Sequence, residues 1–233
     1  MIETPAPSPQ VAARLYDIIA VCFVTFLLIS NISATKLIAF HIGSIPLVFD
    51  GGAILFPLTY VLGDVLSEVY GFAKTRRVII IGFALSITAS LVFWLVQIAP
   101  PADGYQNQAA FEAVLGFVPR IVLASLLGYI VGQLLNSKVL VVIKDRWGER
   151  HLWARLVGST LVGELFDTAV FCTVAFLGVI SGSEFLSYIV LGYVWKVGVE
   201  VVLLPWTYVV IRFVKRHEDP RVIYRSARQE VVA

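Results

Sequence analysis

The sequence is poor in charged residues, and this scarcity sets the class of protein. Only 15% of its 233 residues are Asp, Glu, Lys or Arg, whereas about a quarter of a typical soluble domain is charged. Hydrophobic residues make up 58% of the chain, and the mean hydropathy is +0.85. This composition excludes an ordinary soluble domain and predicts one membrane-embedded domain, with no room for a sizeable soluble one.

Cysteine and histidine are also scarce, which excludes several chemistries. Cys22 and Cys172 lie in apolar runs, so neither a disulfide framework nor a metal knuckle is indicated. The three histidines, His41, His151 and His217, form no H-E-x-x-H zinc helix. The sequence contains neither a G-x-S-x-G elbow nor a nucleotide-binding loop. We therefore expect a protein that is not an enzyme and has no cofactor. Any transport would be ion-coupled, facilitated or powered by another subunit.

Six apolar stretches are long enough to cross a bilayer. They predict an all-α integral membrane protein with six transmembrane helices at 16–38, 53–71, 78–98, 119–143, 156–180 and 188–213. The segment with His41, Gly43, Pro46 and Asp50 is expected to turn or re-enter between the first two spans. The membrane domain would cover 15–216. A disordered cytoplasmic tail at 1–14 would precede it and a cytoplasmic tail at 217–233 would follow it.

Positive charge is distributed unequally between the two sides of the predicted bundle. Of the 18 Lys and Arg residues, fourteen lie before the first span, at 74–77, at 144–155 or after 211. Only Lys36 and Arg120 lie near the opposite side. Because cytoplasmic loops retain positive charge during insertion, both termini are predicted to be cytoplasmic in an inner membrane. The charge of +2 is spread over short loops, so nucleic-acid binding is not indicated.

Ionisable side chains inside the predicted spans are the main functional signal. Such residues are costly in a bilayer unless they face the bundle interior, and residues three or four apart share a helix face. The second, fifth and sixth spans each carry one such pair: Asp64 and Glu68, with Tyr60 one turn away; Glu164 and Asp167; Lys196 and Glu200. We therefore expect these three helices to face each other around a binding site.

A purely structural interpretation is the alternative, in which Lys196 and the acids form ion pairs that fix helix packing. Charge counting argues against it, because five acids face one central lysine and cannot all be neutralised by it. Asn31, Gln133 and Asn136 add amides that serve either interhelical hydrogen bonds or ligand contact. Lys36 either extends its ammonium to the outer interface or contributes to the site.

Several motifs resemble one known family. They are Asn-Ile-Ser-Ala-Thr-Lys at 31–36, Phe-Pro-Leu-Thr-Tyr at 56–60 leading through Asp64 and Glu68 to Tyr-Gly at 70–71, Gly-Glu-Leu-Phe-Asp-Thr at 163–168, and Lys196 with Glu200. The motif of the second helix is the most specific. With these residues the chain is similar to the queuosine-precursor transporter family, long described as vitamin-uptake proteins, over about 16–216.

The resemblance implies import of 7-cyano-7-deazaguanine and 7-aminomethyl-7-deazaguanine for the tRNA modification queuosine. It also implies a six-helix fold similar to the substrate-binding subunits of vitamin ABC (ECF-type) importers. The predicted substrate-binding residues are Asn31, Tyr60, Asp64, Glu68, Glu164, Asp167, Lys196 and Glu200.

Two other functions remain open. One is a binding subunit for another purine or vitamin that needs a separate energising module. The other is an intramembrane hydrolase whose carboxylates hold a divalent metal. A homodimer is compatible with so small a bundle, although no small-xxx-small pattern stands out to locate an interface.

Overall fold

A computed structural model describes residues 15–42, 45–147, 152–180, 182–218 and 223. Within these ranges the chain is mainly helical, in the order α1 (Tyr16–Ser33), β1 (Leu37–Ile42), β2 (Ile45–Asp50), α2 (Phe56–Val65), α3 (Phe72–Ile98), α4 (Gln108–Leu115), α5 (Val118–Trp147), α6 (Leu152–Phe176) and α7 (Gly182–His217). Apart from His217, Glu218 and Ile223, both predicted tails lie outside the described residues.

Five helical stretches among the described residues are long and apolar enough to cross a membrane. They are α1, α3, the stretch Gln108–Ile143 that contains α4 and most of α5, and most of α6 and α7. The second predicted span is not among them, because its helix is interrupted. A 3-10 turn at Gly51–Ile54 precedes the 10-residue helix α2, and a π-helical turn at Leu66–Tyr70 follows it. The chain is therefore a multi-pass membrane protein.

The chain leaves the helical conformation earlier than the first predicted span, 16–38, implies. Two strands follow α1, so the expected all-α fold needs a correction. Helix α1 ends at Ser33, and residues 37–42 and 45–50 pair as two antiparallel strands, which we call the hairpin; Leu37 pairs with Asp50 and Ile42 with Ile45. Both strands are rich in Ile, Leu, Val and Phe, which favour extended backbone. Apolarity alone therefore did not distinguish the strand at 37–42 from a continuation of α1.

Helix α3 begins earlier than the predicted third span. Gly71, between the π-helical turn and α3, has a φ of +83°, a left-handed conformation that favours glycine. The chain changes direction there, so the basic residues Lys74, Arg76 and Arg77 lie in the first turns of α3 and not in a loop. The segment between the third and fourth predicted spans contains the short helix α4.

Helices α5 and α6 pack closely through glycine. A Cβ atom on Gly132 would lie 2.9 Å from the Cβ of Asp167 and 3.0 Å from the carbonyl oxygen of Gly163. A Cβ atom on Gly163 would lie 2.9 Å from the Cβ of Asn136. Small residues at this contact let the two backbones approach, as is common between membrane helices.

Two buried clusters close the two ends of the bundle. At the end where α1 begins and α7 ends, which we call the basic end, Ile19, Tyr70, Val78 and Val214 pack together. The Glu218 carboxylate accepts a 2.5 Å hydrogen bond from the Leu15 N–H there.

At the opposite end, which we call the hairpin end, Ala34, Ile121, Phe176 and Tyr188 pack with Val48 of the hairpin. The space between these two clusters contains the candidate site.

The α5–α6 contact predicts different effects for two glycine substitutions. Gly132→Ala should destabilise the protein by about 1–3 kcal/mol, because the new methyl group meets backbone and Cβ atoms that must shift. Gly198→Ala on α7 is the control: no atom lies within 4 Å of its Cβ position, and alanine is the better helix former. Unfolding of the purified protein in detergent measures both. Equal stability of the two variants would contradict the close packing.

Candidate functional site

A cavity of about 440 Å³ is lined by α1, α2, α3, α5, α6, α7 and the base of the hairpin. This volume lies in the range of sites for small organic molecules. On α6 the lining residues recur every three or four positions, as expected for one face of a helix: Thr160, Gly163, Glu164, Asp167, Thr168, Phe171 and Cys172. The polar positions of an otherwise apolar span therefore face the cavity.

Lys196 of α7 is the centre of a charged group in the cavity wall. Its ammonium donates a short hydrogen bond to Asp167 Oδ2 and lies 3.8 Å from Glu164 Oε2, both on α6. It also lies 4.6 Å from the ring centroid of Phe56 on α2. Because a charge surrounded by apolar helices needs a partner, this ion pair holds α6 and α7 together beside α2.

Tyr60 of α2 completes this group. Its hydroxyl donates a 2.5 Å hydrogen bond to Glu164 Oε1, and its ring centroid lies 4.2 Å from that of Phe56. The other oxygen of Glu164 is buried and has no hydrogen-bond donor within reach among the described residues, although Lys196 is near. The group therefore offers an aromatic surface next to carboxylate oxygens that can still accept hydrogen bonds.

Asp64 of α2 and Glu200 of α7 line the same cavity, close to Tyr60 and Lys196. Neither carboxylate forms an ion pair within the described part of the chain. Lys196 carries a single charge, and its short contact is with Asp167. It therefore cannot fully neutralise the other three acids of α2, α6 and α7 that line the cavity, which are Asp64, Glu164 and Glu200.

Glu68, also predicted as a site residue, lies outside the cavity. Its carboxylate pairs with Lys215 at 2.6 Å, and 58% of its side chain is exposed. The prediction assumed that residues 64 and 68 share one face of a regular α-helix. The π-helical turn at Leu66–Tyr70 widens the helix after Asp64. Glu68, four residues after Asp64, therefore does not share its helix face.

The amides near the cavity have different partners. The buried Asn31 side chain donates to Ser86 Oγ at 3.4 Å and accepts from Ser125 Oγ at 3.0 Å, which links α1, α3 and α5. Gln133 and Asn136 of α5 also line the cavity. The Asn136 Oδ1 atom is buried with no donor among the described residues. Asn31 thus has a packing role as well as a place in the cavity wall, whereas Asn136 retains an unused acceptor.

The two outer basic residues lie at helix ends. Lys36 is exposed just beyond α1, outside the cavity lining. Arg120 donates to the carbonyl oxygens of Val174 at 2.8 Å and Leu177 at 2.6 Å, so it satisfies acceptors at the C-terminal end of α6.

Sequence reasoning missed several polar residues of the cavity, among them Asp50 and Thr168. Asp50, at the end of β2, accepts hydrogen bonds from the Gly52 N–H at 2.8 Å and the Tyr188 hydroxyl at 2.7 Å. Withdrawal from water raises the pKa of Asp50, and these two hydrogen bonds oppose the increase. Thr168 is 1% exposed, and its hydroxyl has no partner among the described residues.

The helical period from Glu164 could have identified Thr168, which lies one turn further along α6. No periodic signal marks Asp50, because its position depends on how the hairpin packs. Among the described residues no group of three or more His, Cys, Asp or Glu side chains is arranged to hold a metal ion.

The ion pair predicts a non-additive effect on stability. Lys196→Met should destabilise the protein by about 3–5 kcal/mol, because it leaves Asp167 and Glu164 without their cation. Adding Asp167→Asn to Lys196→Met should recover part of this loss. A double-mutant cycle, measured by unfolding in detergent, tests the coupling. Additive effects to within about 0.5 kcal/mol would show that the pair is not energetically coupled.

Comparison with known proteins agrees with a transport site. The chain is 34% identical over 168 residues to the "Probable queuosine precursor transporter" of Bacillus subtilis, covering 72% of this chain and 73% of that protein. It is 30% identical over 125 residues to the "Queuosine precursor transporter" of Escherichia coli. A Haemophilus influenzae protein named "Probable queuosine precursor transporter" is 27% identical over 126 residues. The chain spans about half the length of the latter two, 54% and 51%. No solved structure shows a significant match.

The relatives are named as transporters, which confirms the prediction of a transport role and not an enzymatic one. The model of one family, described as "Putative vitamin uptake transporter", matches residues 50–210, which include every cavity-lining segment from Asp50 to Glu200. This chain therefore belongs to that family of membrane transporters.

Proposed function

We propose that this protein imports the queuosine precursors 7-cyano-7-deazaguanine and 7-aminomethyl-7-deazaguanine, and that it binds the base in the cavity between its helices. One observation carries the proposal: Glu164 and Asp167 share the cavity wall with the aromatic pair of Phe56 and Tyr60. A guanine-like edge presents an N–H and an exocyclic amine side by side, which match one carboxylate. The names of the relatives support this choice of substrate.

The proposed contacts follow from which groups retain hydrogen-bonding capacity. Glu164 has a buried oxygen without a donor, so it is the preferred acceptor for the guanine-like edge. The ring of Tyr60 is held by its hydrogen bond to Glu164, so a flat heterocycle can stack on it or on Phe56. Lys196 positions both acids through its ion pairs.

The remaining proposed residues surround this centre. Asp64 and Glu200 accept donors or retain protons while the cavity is empty, because no cation pairs with them in the described chain. Asn31 assists from α1. We leave Glu68 out, since its carboxylate pairs with Lys215 away from the cavity.

We further propose that six segments cross the membrane. The 3-10 turn, α2 and the π-helical turn follow each other over 51–70, a length of about 30 Å at the rise of an α-helix, which matches the hydrocarbon core. The basic end would face the cytoplasm of an inner membrane, in agreement with the excess of Lys and Arg near the ends of the helices there. Similarity to vitamin-importer binding subunits and a homodimer stay predictions.

Uptake in cells tests the proposal directly. The protein is expressed in cells that lack both deazaguanine synthesis and their own importer. These cells are given a limiting amount of one of the two deazaguanine bases, and queuosine in their tRNA is measured. Glu164→Gln should reduce uptake about 10- to 100-fold, because it removes charge-assisted hydrogen bonds worth about 1.5–3 kcal/mol.

Glu68→Gln is the matched control, since it also converts a glutamate to a glutamine, but at a residue outside the cavity lining. Loss of its exposed ion pair should cost at most about 1 kcal/mol of stability and leave uptake within about twofold of the original protein. Undiminished uptake by Glu164→Gln at equal expression would refute the proposed site. Failure of the unmodified protein to support any queuosine formation would refute the proposed substrate.

A further inference from the structure

A second polar centre lies at the hairpin end of the same cavity. Asp50 Oδ1 accepts from the Gly52 N–H and Oδ2 from the Tyr188 hydroxyl. Both donors are neutral. In the described ranges, no lysine, arginine or histidine lies within ion-pair distance of this carboxylate. Lys196 acts on Asp50 only from beyond ion-pair distance. The buried carboxylate is therefore oriented by hydrogen bonds but compensated only in part, which is costly away from water.

Aromatic side chains line the same cavity as this carboxylate. Phe49, Tyr188 and Trp195 all line the cavity, and the ring centroids of Phe49 and Trp195 are 5.6 Å apart. The Trp195 indole N–H donates to the Ala53 carbonyl oxygen at 3.4 Å, which fixes the orientation of the ring. A carboxylate beside aromatic faces is a favourable environment for an organic cation.

Tyr188 and Lys196, which contact the acids of the two polar centres, lie on one helix, α7. Tyr188 and Lys196 are eight residues apart on α7, a rise of about 12 Å. A bicyclic base with one short arm can therefore reach the Glu164 group with its guanine-like edge and the Asp50 group with its arm. The two centres differ in charge balance, because Lys196 forms ion pairs with the acids of α6, whereas Asp50 has no ion-pair partner in the described part of the chain.

We propose that Asp50 binds the ammonium group on the arm of the substrate and so selects planar bases that carry a primary amine. This inference rests on the proposed function. The aminomethyl base supplies such a cation, whereas the nitrile of the cyano base is neutral. Asp50 is then a specificity-determining residue, and Tyr188 is a positioning residue that orients its carboxylate.

Asp50→Asn separates the charge of Asp50 from its structural contacts. The asparagine oxygen can still cap the turn at Gly52, and its amide can donate to the Tyr188 oxygen. Affinity of the purified protein for each base is measured by calorimetry. Asp50→Asn should weaken binding of the aminomethyl base about 10- to 100-fold, the loss expected for a charge-assisted contact, and change binding of the cyano base less than about threefold.

Glu164→Gln is the comparison variant and should weaken binding of both bases. Equal losses of the two bases in Asp50→Asn, or no loss of either, would overturn the role of Asp50 while leaving the proposed function intact. If neither base binds to the unmodified protein, both the proposed function and the role of Asp50 are overturned.

A test on the unmodified protein covers the case in which Asp50→Asn does not fold. The 7-hydroxymethyl base is a neutral analogue of the aminomethyl base of nearly equal size. It should bind about 10- to 100-fold more weakly than the aminomethyl base if Asp50 binds an ammonium group. Equal affinity for the two would overturn the inference.

Discussion

The contact of Lys196 with Asp167 and Glu164 is the interaction on which the arrangement of the site depends. A lone ammonium or carboxylate within apolar helices is strongly unfavourable, so these side chains must meet. Their meeting places α7 against α6, and the hydrogen bond from Tyr60 to Glu164 adds α2. Tyr60 and Glu164 are 104 residues apart, so this set of polar contacts orients α2 against the two consecutive helices α6 and α7.

Close packing of α5 on α6 gives this charged group a rigid support. Gly132 and Gly163 bring the two backbones together, and the Cβ of Asp167 lies directly above Gly132. The same contact leaves the face of α6 that carries Glu164 and Thr168 exposed to the cavity. The glycines therefore contribute to the site without offering a functional group of their own.

The hairpin and the basic end differ in how they close the cavity. At the basic end, Ile19, Tyr70, Val78 and Val214 pack together in a mainly apolar cluster. The hairpin end brings a polar residue, Asp50, into the cavity wall through its contact with Tyr188. The hairpin end therefore contributes a carboxylate to the cavity wall.

The amino-acid sequence by itself determined the membrane class, the transporter family and the acids of α6 and α7. Long apolar runs and rare charges are local properties, and Glu164 with Asp167 shares a face in any regular helix. Only the tertiary structure decided the position of Glu68 and the place of Asp50 in the cavity wall. A π-helical turn moved Glu68 off the face of Asp64, and such a change of helix type depends on packing and leaves no period in the sequence. Asp50 reached the cavity because the hairpin folds back on α7, a contact between residues 138 positions apart.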